Sequence, residues 1–529
     1  MTSTPKPQPF RQSRIFLLLL TLAAAFAFQG TRGLYESTEG RYAESAREMI
    51  ETGQWLIPQL DYRPHWTKPP LTYWAIALGM KVFGQNEWGV RFYSGVAFAL
   101  SVWAILVLGR WMWDKPTGFF AALIYATSPL TLIAAHTVNT DTLLTLWEIL
   151  VALGYWGALR RTGERAEWGK GAEGGKRAEE AGWIGVMWLS AGMAFFTKGP
   201  PGLLVLGAMV VFHIIRRRRG QTTPRMFHPP SIVLFLVVAL WWYLWADFRT
   251  KGLLSYFLRE EVIGRVFSAE YHRNAQWYQP FLMYVPALLF GAGAAMIAWA
   301  ALVYRQASLL RWSNLRRAIW KNDRLLFLSL WVFVPLPIFF IARSRLYLYV
   351  LPLFPAVALA TARLLALFAE PRVFTRTVVG AMVLFALVLV AGRWGFATRE
   401  SDRDMGQLYE AIRASFAAPT RVFVYESSFS SKDLSPLDKE ARMFGLQFYL
   451  KRKLTRVEKT GPLPDWARGL ADVIKDLRAH PQQGPWIFVT GRREHMRELA
   501  AAFDAAGISW KRVNVESPYK ILITGVAPD

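Results

Sequence analysis

Apolar blocks free of charged residues punctuate the first three quarters of the chain. Ile15 to Phe28, Phe92 to Leu108, Ile232 to Leu244 and Leu346 to Leu359 contain no Asp, Glu, Lys or Arg. At about 13–17 residues before their apolar flanks are added, such blocks cross most of a ~30 Å hydrocarbon core as helices. Within a bilayer the helix satisfies every backbone N–H and C=O inside the segment itself. Counting the blocks predicts an α-helical polytopic membrane protein with about eleven spans, or thirteen if short ones such as Ile184–Phe196 are all counted. An odd number puts the two ends of the chain on opposite sides. Glu39–Ile50 and Leu71–Phe83 are amphipathic and are predicted to lie along the membrane surface.

The pattern changes after about Arg393. Arg421–Tyr425 and Trp486–Thr490 read as buried strands and Lys520–Thr524 as another, while Asp465–Ala479 and Glu494–Ala506 have helical apolar spacing. The expected organisation is a transmembrane unit over residues 1–394, with a first extracytoplasmic loop at 31–87. An extracytoplasmic (periplasmic) α/β domain over 395–529 follows. Gly163–Ala181, rich in Gly, Glu and Lys, reads as a solvated linker. No internal repeat is evident.

Composition sharpens the class. Of 529 residues 53% are hydrophobic, 24 are tryptophan and none is cysteine. A soluble globular protein is excluded, and so are disulfides, thiolate nucleophiles and cysteine-ligated metals. The formal net charge of +24 would suit a nucleic-acid binder, but the basic residues gather in short loops between apolar blocks. Arg110/Lys115, Arg160–Arg177, Arg216–Arg219, Arg305–Arg324 and Arg363/Arg372 all fall on one side of an alternating topology. Lys- and Arg-rich loops stay in the cytoplasm, so the N-terminus is expected inside and the charge is a topology signal. No nucleic-acid partner is expected.

The other set of loops carries candidate chemistry. Glu36, Glu39, Arg41, Tyr42, Glu44, His65 and Lys68 lie in the first, and His136, Asn139 and Asp141 in the second. Lys198 follows, then Glu260 and Arg265, then Arg343, Arg345 and Tyr347. Ionisable groups at a membrane are expensive and point to function. Carboxylates beside Lys and Arg suit an anionic substrate with a general base next to it, Arg binding phosphate through two hydrogen bonds and Lys as a point charge. Flanking apolar helices suit a substrate that also has a lipid tail. Each residue has a plainer reading. Glu44 and Arg47 fit the polar face of an amphipathic helix, His65 and His136 fit hydrogen-bonded structural histidines, and Asp141 fits a helix cap.

The ordered stretches Gly33–Met49, Gly53–Pro58, Thr67–Trp74, Asn139–Thr145, Phe196–Gly202, Phe257–Val266 and Ser344–Pro355 together resemble the ArnT-like glycosyltransferases. These are the aminoarabinose transferases and their relatives among the protein O-mannosyltransferases. The resemblance covers about residues 15–395. It implies a GT-C fold and an inverting transfer of a sugar from a polyprenyl-phosphate carrier to a lipid, glycan or protein acceptor on the outer face of a bacterial inner membrane. On that resemblance Arg41, Lys68, Lys198 and Arg265 hold the carrier phosphate with Arg345 and Tyr347 beside it, and a first-loop carboxylate deprotonates the acceptor. The family's first-loop motif commonly reads Asp-Glu-x-Arg, whereas this chain has Thr38-Glu39-Gly40-Arg41, which makes Glu39 the substitute base and Glu36 the second choice. Thr67 and Val262 stand where aminoarabinose transferases have zinc-binding Glu and His, so no zinc is expected there, and a divalent metal would have to use other carboxylates such as Glu39, Asp141 and Glu260. Two other classes share a multi-span chain: a transporter or lipid flippase, and a GT-C-fold binding protein without catalysis. The lack of repeats and the position of the polar residues at the outer surface favour the enzyme.

Overall fold

A computed structural model describes residues 10–36, 38–168, 173–259, 274, 276–293, 295, 312–368, 380, 384–385, 387–389, 391–392, 394–395, 399, 401, 403–415, 421–426, 443–459, 467–480, 485–490, 493–513 and 520–524. The apolar runs are helices: α1 (Phe10–Phe26), α4 (Glu87–Met112), α7 (Asp141–Trp168), α9 (Leu204–Arg218), α10 (Pro229–Arg249), α14 (Asp323–Phe333), α15 (Leu336–Ile341) and α16 (Phe354–Phe368). Between them lie α2 (Thr38–Thr52), α3 (Leu71–Phe83), α5 (Lys115–Ala126), α6 (Pro129–Ala135), α8 (Glu173–Lys198), α11 (Leu253–Tyr256), α12 (Gln279–Phe290) and α13 (Trp312–Lys321). Among the described residues six helical segments are long and apolar enough to cross a membrane, and α5 with α6, bent by 63°, makes a seventh. The blocks that would bring the count to eleven or more include stretches, such as 296–311 and 369–379, outside the described residues.

Local chemistry sets the helix boundaries. Asn86 and Asp114 accept the Gly89 and Thr117 N–H groups at the starts of α4 and α5. Pro129 lacks the donor that would continue α5, and the Thr127 and Ser128 hydroxyls donate back to Leu123 and Ile124 carbonyls at the bend. Large indoles fill the bundle with their N–H groups satisfied: Trp331 on the Pro352 carbonyl, Trp188 on Met226 and Trp242 on Leu56, at 2.7–2.9 Å. Leu18, Leu19 and Leu22 of α1, like Val233, Leu236, Val237 and Leu244 of α10, are exposed. Apolar faces of that extent belong against lipid.

The C-terminal part is a three-layer α/β unit. After the short antiparallel pair β1 (Gln59–Leu60) and β2 (Arg63–Pro64) of the first loop, strands β3 (Arg421–Glu426), β4 (Thr455–Glu458), β5 (Ala467–Gly469), β6 (Trp486–Thr490), β7 (Trp510–Val513) and β8 (Lys520–Thr524) form one sheet in the order β5-β4-β3-β6-β8-β7. The first four are parallel, and β8 and β7 add antiparallel. Alternate residues of β3 face opposite layers. Val422 and Val424 pack under α17 (Met405–Ser415) and α18 (Phe444–Leu450), while Phe423 and Tyr425 pack under α19 (Leu470–Ala479) and α20 (Arg493–Ala505).

Three expectations need correction. The polar face of helix α2 does not meet water, because the C-terminal unit covers it. Glu44 and Arg47 are buried, joined at 2.7 Å, with Gln447 of α18 donating to Glu44. The supposed linker is mostly the tips of α7 and α8, joined by Arg161 to Glu164 and Glu179 at 2.8 and 2.9 Å, because its opposite charges recur at helical spacing. The helix expected from Asp465 starts at Leu470, since Ala467–Gly469 pairs with β4 instead.

Candidate active site

The first loop is built around a buried carboxylate. Glu39, in the opening turn of α2, faces six donors. Its Oε1 accepts from Arg32, Arg91 and the Val138 N–H, and its Oε2 accepts from Arg32, Arg91 and the Tyr35 N–H, all at 2.6–3.2 Å. Arg91, also buried, ties the same knot to the Gln29, Arg32 and Gly33 carbonyls. Burial alone would push the Glu39 carboxyl up, but the Arg32 and Arg91 guanidiniums outweigh it and hold it far below the usual carboxylate range. A group with every lone pair taken is a poor proton acceptor. Its geometry is that of a pin joining the first loop to α4 and to the loop before α7, which replaces its reading as the base.

Glu36 is also buried but points away, into the contact with the C-terminal unit, where it accepts the Gly445 N–H at 3.0 Å. Burial raises its pKa to about 8, against the pull of hydrogen bonds from Gly445 and Phe444. Gly40 has no room for a side chain, since a Cβ there would run into the Glu36 carboxylate and the Gly445 backbone. Glu36 therefore serves the interface rather than a cavity.

Asp141 is different. Asn139 takes the capping task at the start of α7, accepting the Thr142 N–H at 2.8 Å, and Asp141 is left for Lys198, whose Nζ lies 2.5 Å from Oδ1. Lys198 is brought there by a helix stop. It ends α8, Gly199 turns with φ +76°, and Pro200–Pro201 cannot continue the helix. The Lys198 ammonium also lies 4.1 Å from the centre of the Tyr349 ring. Asp141, Tyr349 and Tyr42 are its electrostatic neighbours. Tyr42 stacks on Tyr73 at 5.2 Å, and the half-buried Arg41 lies 5.7 Å from the Tyr42 ring centre. Elements from the first loop, α7, α8 and the 345–353 segment thus converge on one ion pair.

The remaining expected residues spread around it. Lys68 and His65 are half-buried in the first loop, with His65 Nε2 2.8 Å from the Thr67 hydroxyl. His136 is structural, its Nε2 2.6 Å from the Ala24 carbonyl. Arg345 fastens a loop, its two terminal nitrogens donating to the Asn274, Gln276 and Phe340 carbonyls at 2.6–3.0 Å. Its Nε–H, buried and without a partner among the described residues, and one Nη2 hydrogen remain for a phosphate. Arg343 and Tyr347 are exposed. Glu260, Val262 and Arg265 lie outside the described residues. Among the described residues no group of three or more His, Asp or Glu could hold a metal ion.

Two residues of this centre escaped sequence reasoning. Tyr349 sits two positions beyond Tyr347 in the same stretch. Glu148, 1% exposed, is two turns after Asp141 on the same face of α7, with Lys198 and Asp141 as its charged neighbours and one oxygen without a hydrogen-bond partner. Its signal was visible as a lone acid inside an apolar run.

Comparison with known proteins gives this geometry a context. The family model described as dolichyl-phosphate-mannose-protein mannosyltransferase matches residues 67–245. The chain is 31% identical over 412 residues to the undecaprenyl phosphate-α-4-amino-4-deoxy-L-arabinose arabinosyl transferase of Enterobacter sp. (strain 638), covering 76% of this chain and 68% of that one. It is 29% identical over 356 residues to transferase 2 of Pseudomonas fluorescens (strain Pf0-1), covering 66% and 59%. The chain thus spans less than two thirds of the length of that Pseudomonas relative. Among solved structures, ArnT from Cupriavidus metallidurans bound to undecaprenyl phosphate superposes with a TM-score of 0.72 at 17% identity, over 98% of this chain and 99% of that one. The archaeal oligosaccharyltransferase AglB from Archaeoglobus fulgidus superposes with a TM-score of 0.53 at 10% identity, over 93% and 70%. The fold is the one these two membrane proteins share.

Proposed function

The chain belongs to the family of the undecaprenyl phosphate-aminoarabinose arabinosyl transferases, a family of multi-pass bacterial inner-membrane proteins, and from that premise we propose that it is an inverting glycosyltransferase that takes a sugar from a polyprenyl-phosphate carrier. The observation that carries this reading is the buried Asp141–Lys198 pair at 2.5 Å, walled by Tyr42 and Tyr349. The acceptor oxygen attacks the anomeric carbon from the side opposite the phosphate. The bond from that carbon to the phosphate oxygen breaks, and its electron pair leaves with the lipid phosphate. Asp141 takes the acceptor's proton when the acceptor is a hydroxyl. Lys198, Arg41 and Lys68 meet the charge that grows on the leaving phosphate, which stabilises the transition state more than the ground state. One displacement inverts the anomeric centre. Arg265 and Glu260 join this set on the motif match alone.

The acceptor class is a lipid, glycan or protein. Thr67, neutral and hydrogen-bonded to His65, does not fit zinc where the aminoarabinose transferases carry a Glu. The basic helix ends support an orientation with the N-terminus in the cytoplasm. Arg216 and Arg219 meet at Asp323, and Arg363 meets Asp114, leaving the Asp141–Lys198 pair and the C-terminal α/β unit for the extracytoplasmic side.

Mass spectrometry of lipids that co-purify with the protein tests the donor class. Wild type is expected to retain a polyprenyl phosphate or its glycoside, and Lys198→Ala to lose most of it. Equal amounts in both, or bulk phospholipid alone in both, would remove the carrier from the account.

A further inference from the structure

At the opposite end of the bundle from the Asp141–Lys198 pair, α4 ends, α5 begins and α7 passes alongside. There an open cavity of about 900 Å³ is lined by Arg110, Trp111, Trp113, Asp114, Lys115 and Arg160. Beside it α4 and α5 cross closely: a Cβ on Gly109 would meet Gly118, and one on Gly118 would meet Arg110 and Leu106. We propose that this cavity binds the phosphodiester headgroup of an anionic phospholipid in the leaflet on that side of the membrane.

Charge is the first argument. Among the described residues Arg110 and Lys115 take part in no ion pair, and Arg160 has only a 3.9 Å contact to Glu164. The one acid in the wall is already committed, since Asp114 caps α5 through the Thr117 N–H at 2.8 Å and meets Arg363 at 3.3 Å. The cavity therefore presents cations whose counter-charge is missing, and basic pockets between helices at this level recognise anionic headgroups. Rigidity is the second. Arg160 lies 5.1 Å over the Trp111 ring, and Trp111 is braced edge-on by Trp183 at 5.0 Å. Trp113 adds a buried indole N–H that has no acceptor among the described residues. A phosphate oxygen supplies what that donor lacks.

What separates a lipid from a free phosphate is the surface leading to the cavity. Leu100 and Trp103, half exposed, and Val107 descend one face of α4 at spacings of three and four residues and arrive at Arg110. From Leu100 to Arg110 the helix rises about 15 Å, the depth of one leaflet in a core about 30 Å thick. An acyl chain laid along that stripe puts its headgroup at the cavity mouth. This inference is independent of the sugar-transfer reading, since none of these residues belongs to that site.

Native mass spectrometry on delipidated full-length protein is the test, with phosphatidylglycerol, phosphatidylethanolamine and inorganic phosphate as probes. Wild type is expected to bind phosphatidylglycerol in preference to phosphatidylethanolamine. Arg110→Ala with Arg160→Ala should weaken that binding by about fivefold per charge removed, whereas Arg217→Ala with Arg218→Ala, equal in charge but outside the cavity wall, should not. Should the first pair fail to fold, the exposed Lys115→Glu carries the same expectation. Equal binding of both lipids, or no loss in the cavity variants, overturns the proposal. Displacement of the lipid by millimolar inorganic phosphate overturns it in favour of a free-anion site.

Discussion

Glu39 and Asp141 are both buried carboxylates paired with cations, and the number of donors around each separates their tasks. Six donors on Glu39 leave it nothing to give a substrate, whereas Asp141 meets one ammonium at 2.5 Å. Glu39→Gln leaves Arg32 and Arg91 without their shared counter-charge, at a cost of about 3–5 kcal/mol. The expected outcome is a large fall in thermal stability in detergent, with the folded fraction retaining its specific activity; loss of activity at unchanged stability would return Glu39 to the chemistry. The sign with pH follows from its lowered carboxyl. The stabilisation is present above the ordinary value of 4.5 and is lost as pH falls below it toward the folded-state value. Residue types at these positions were legible in the sequence, down to the Thr38 departure. Which carboxylate is locked by cations was not, because that depends on Arg91, 52 positions away, whose partner no local pattern announces.

Helix α2 shows what periodicity reads and what it misses. Its helical spacing is plain, and so is its boundary near Thr38. Its polar face, however, is satisfied by the C-terminal unit rather than by water. Gln447 donates to Glu44 and Glu48, and Arg456 reaches Asp61 at 2.8 Å. A polar stripe looks the same in sequence whether it meets solvent or a second polar surface. This contact stores protons. Burial lifts Glu36 to about 8, and burial together with the neighbouring Glu44 lifts Glu48 to about 8. A carboxyl raised in the folded state stabilises below its ordinary value of 4.5 and loses that contribution as pH rises through about 8. The contact between α2 and α18 is therefore expected to loosen between about pH 5 and 8. Hydrogen exchange at Gly445 and its neighbours should rise across that range and flatten in Glu36→Gln. A rate unchanged by pH beyond the intrinsic chemistry would contradict the assignment.

At the scale of the molecule, the α-helical membrane unit and a C-terminal sheet were readable from hydropathy and from the apolar strand runs. The strands Arg421–Glu426 and Trp486–Thr490 are apolar enough to stand out, whereas β4 (TRVE) and β7 (WKRV) are short and charged and become strands only because a neighbour pairs with them. What the sequence did not disclose is how closely the two units are joined. Gly33 donates to Asp404, Met405 to the Leu34 carbonyl, and Tyr449 to Glu87 at 2.6 Å, so the loop that frames the ion pair is held from both sides. The account rests on that pair performing sugar transfer, and the most direct measurement is the rate of polyprenyl phosphate release from a polyprenyl-phosphate sugar in reconstituted membranes, wild type against Asp141→Asn. The expected result is a drop of about 10²–10⁴-fold in turnover with the folded yield and carrier binding preserved. Turnover within a few-fold of wild type in a folded Asp141→Asn protein would contradict the central claim.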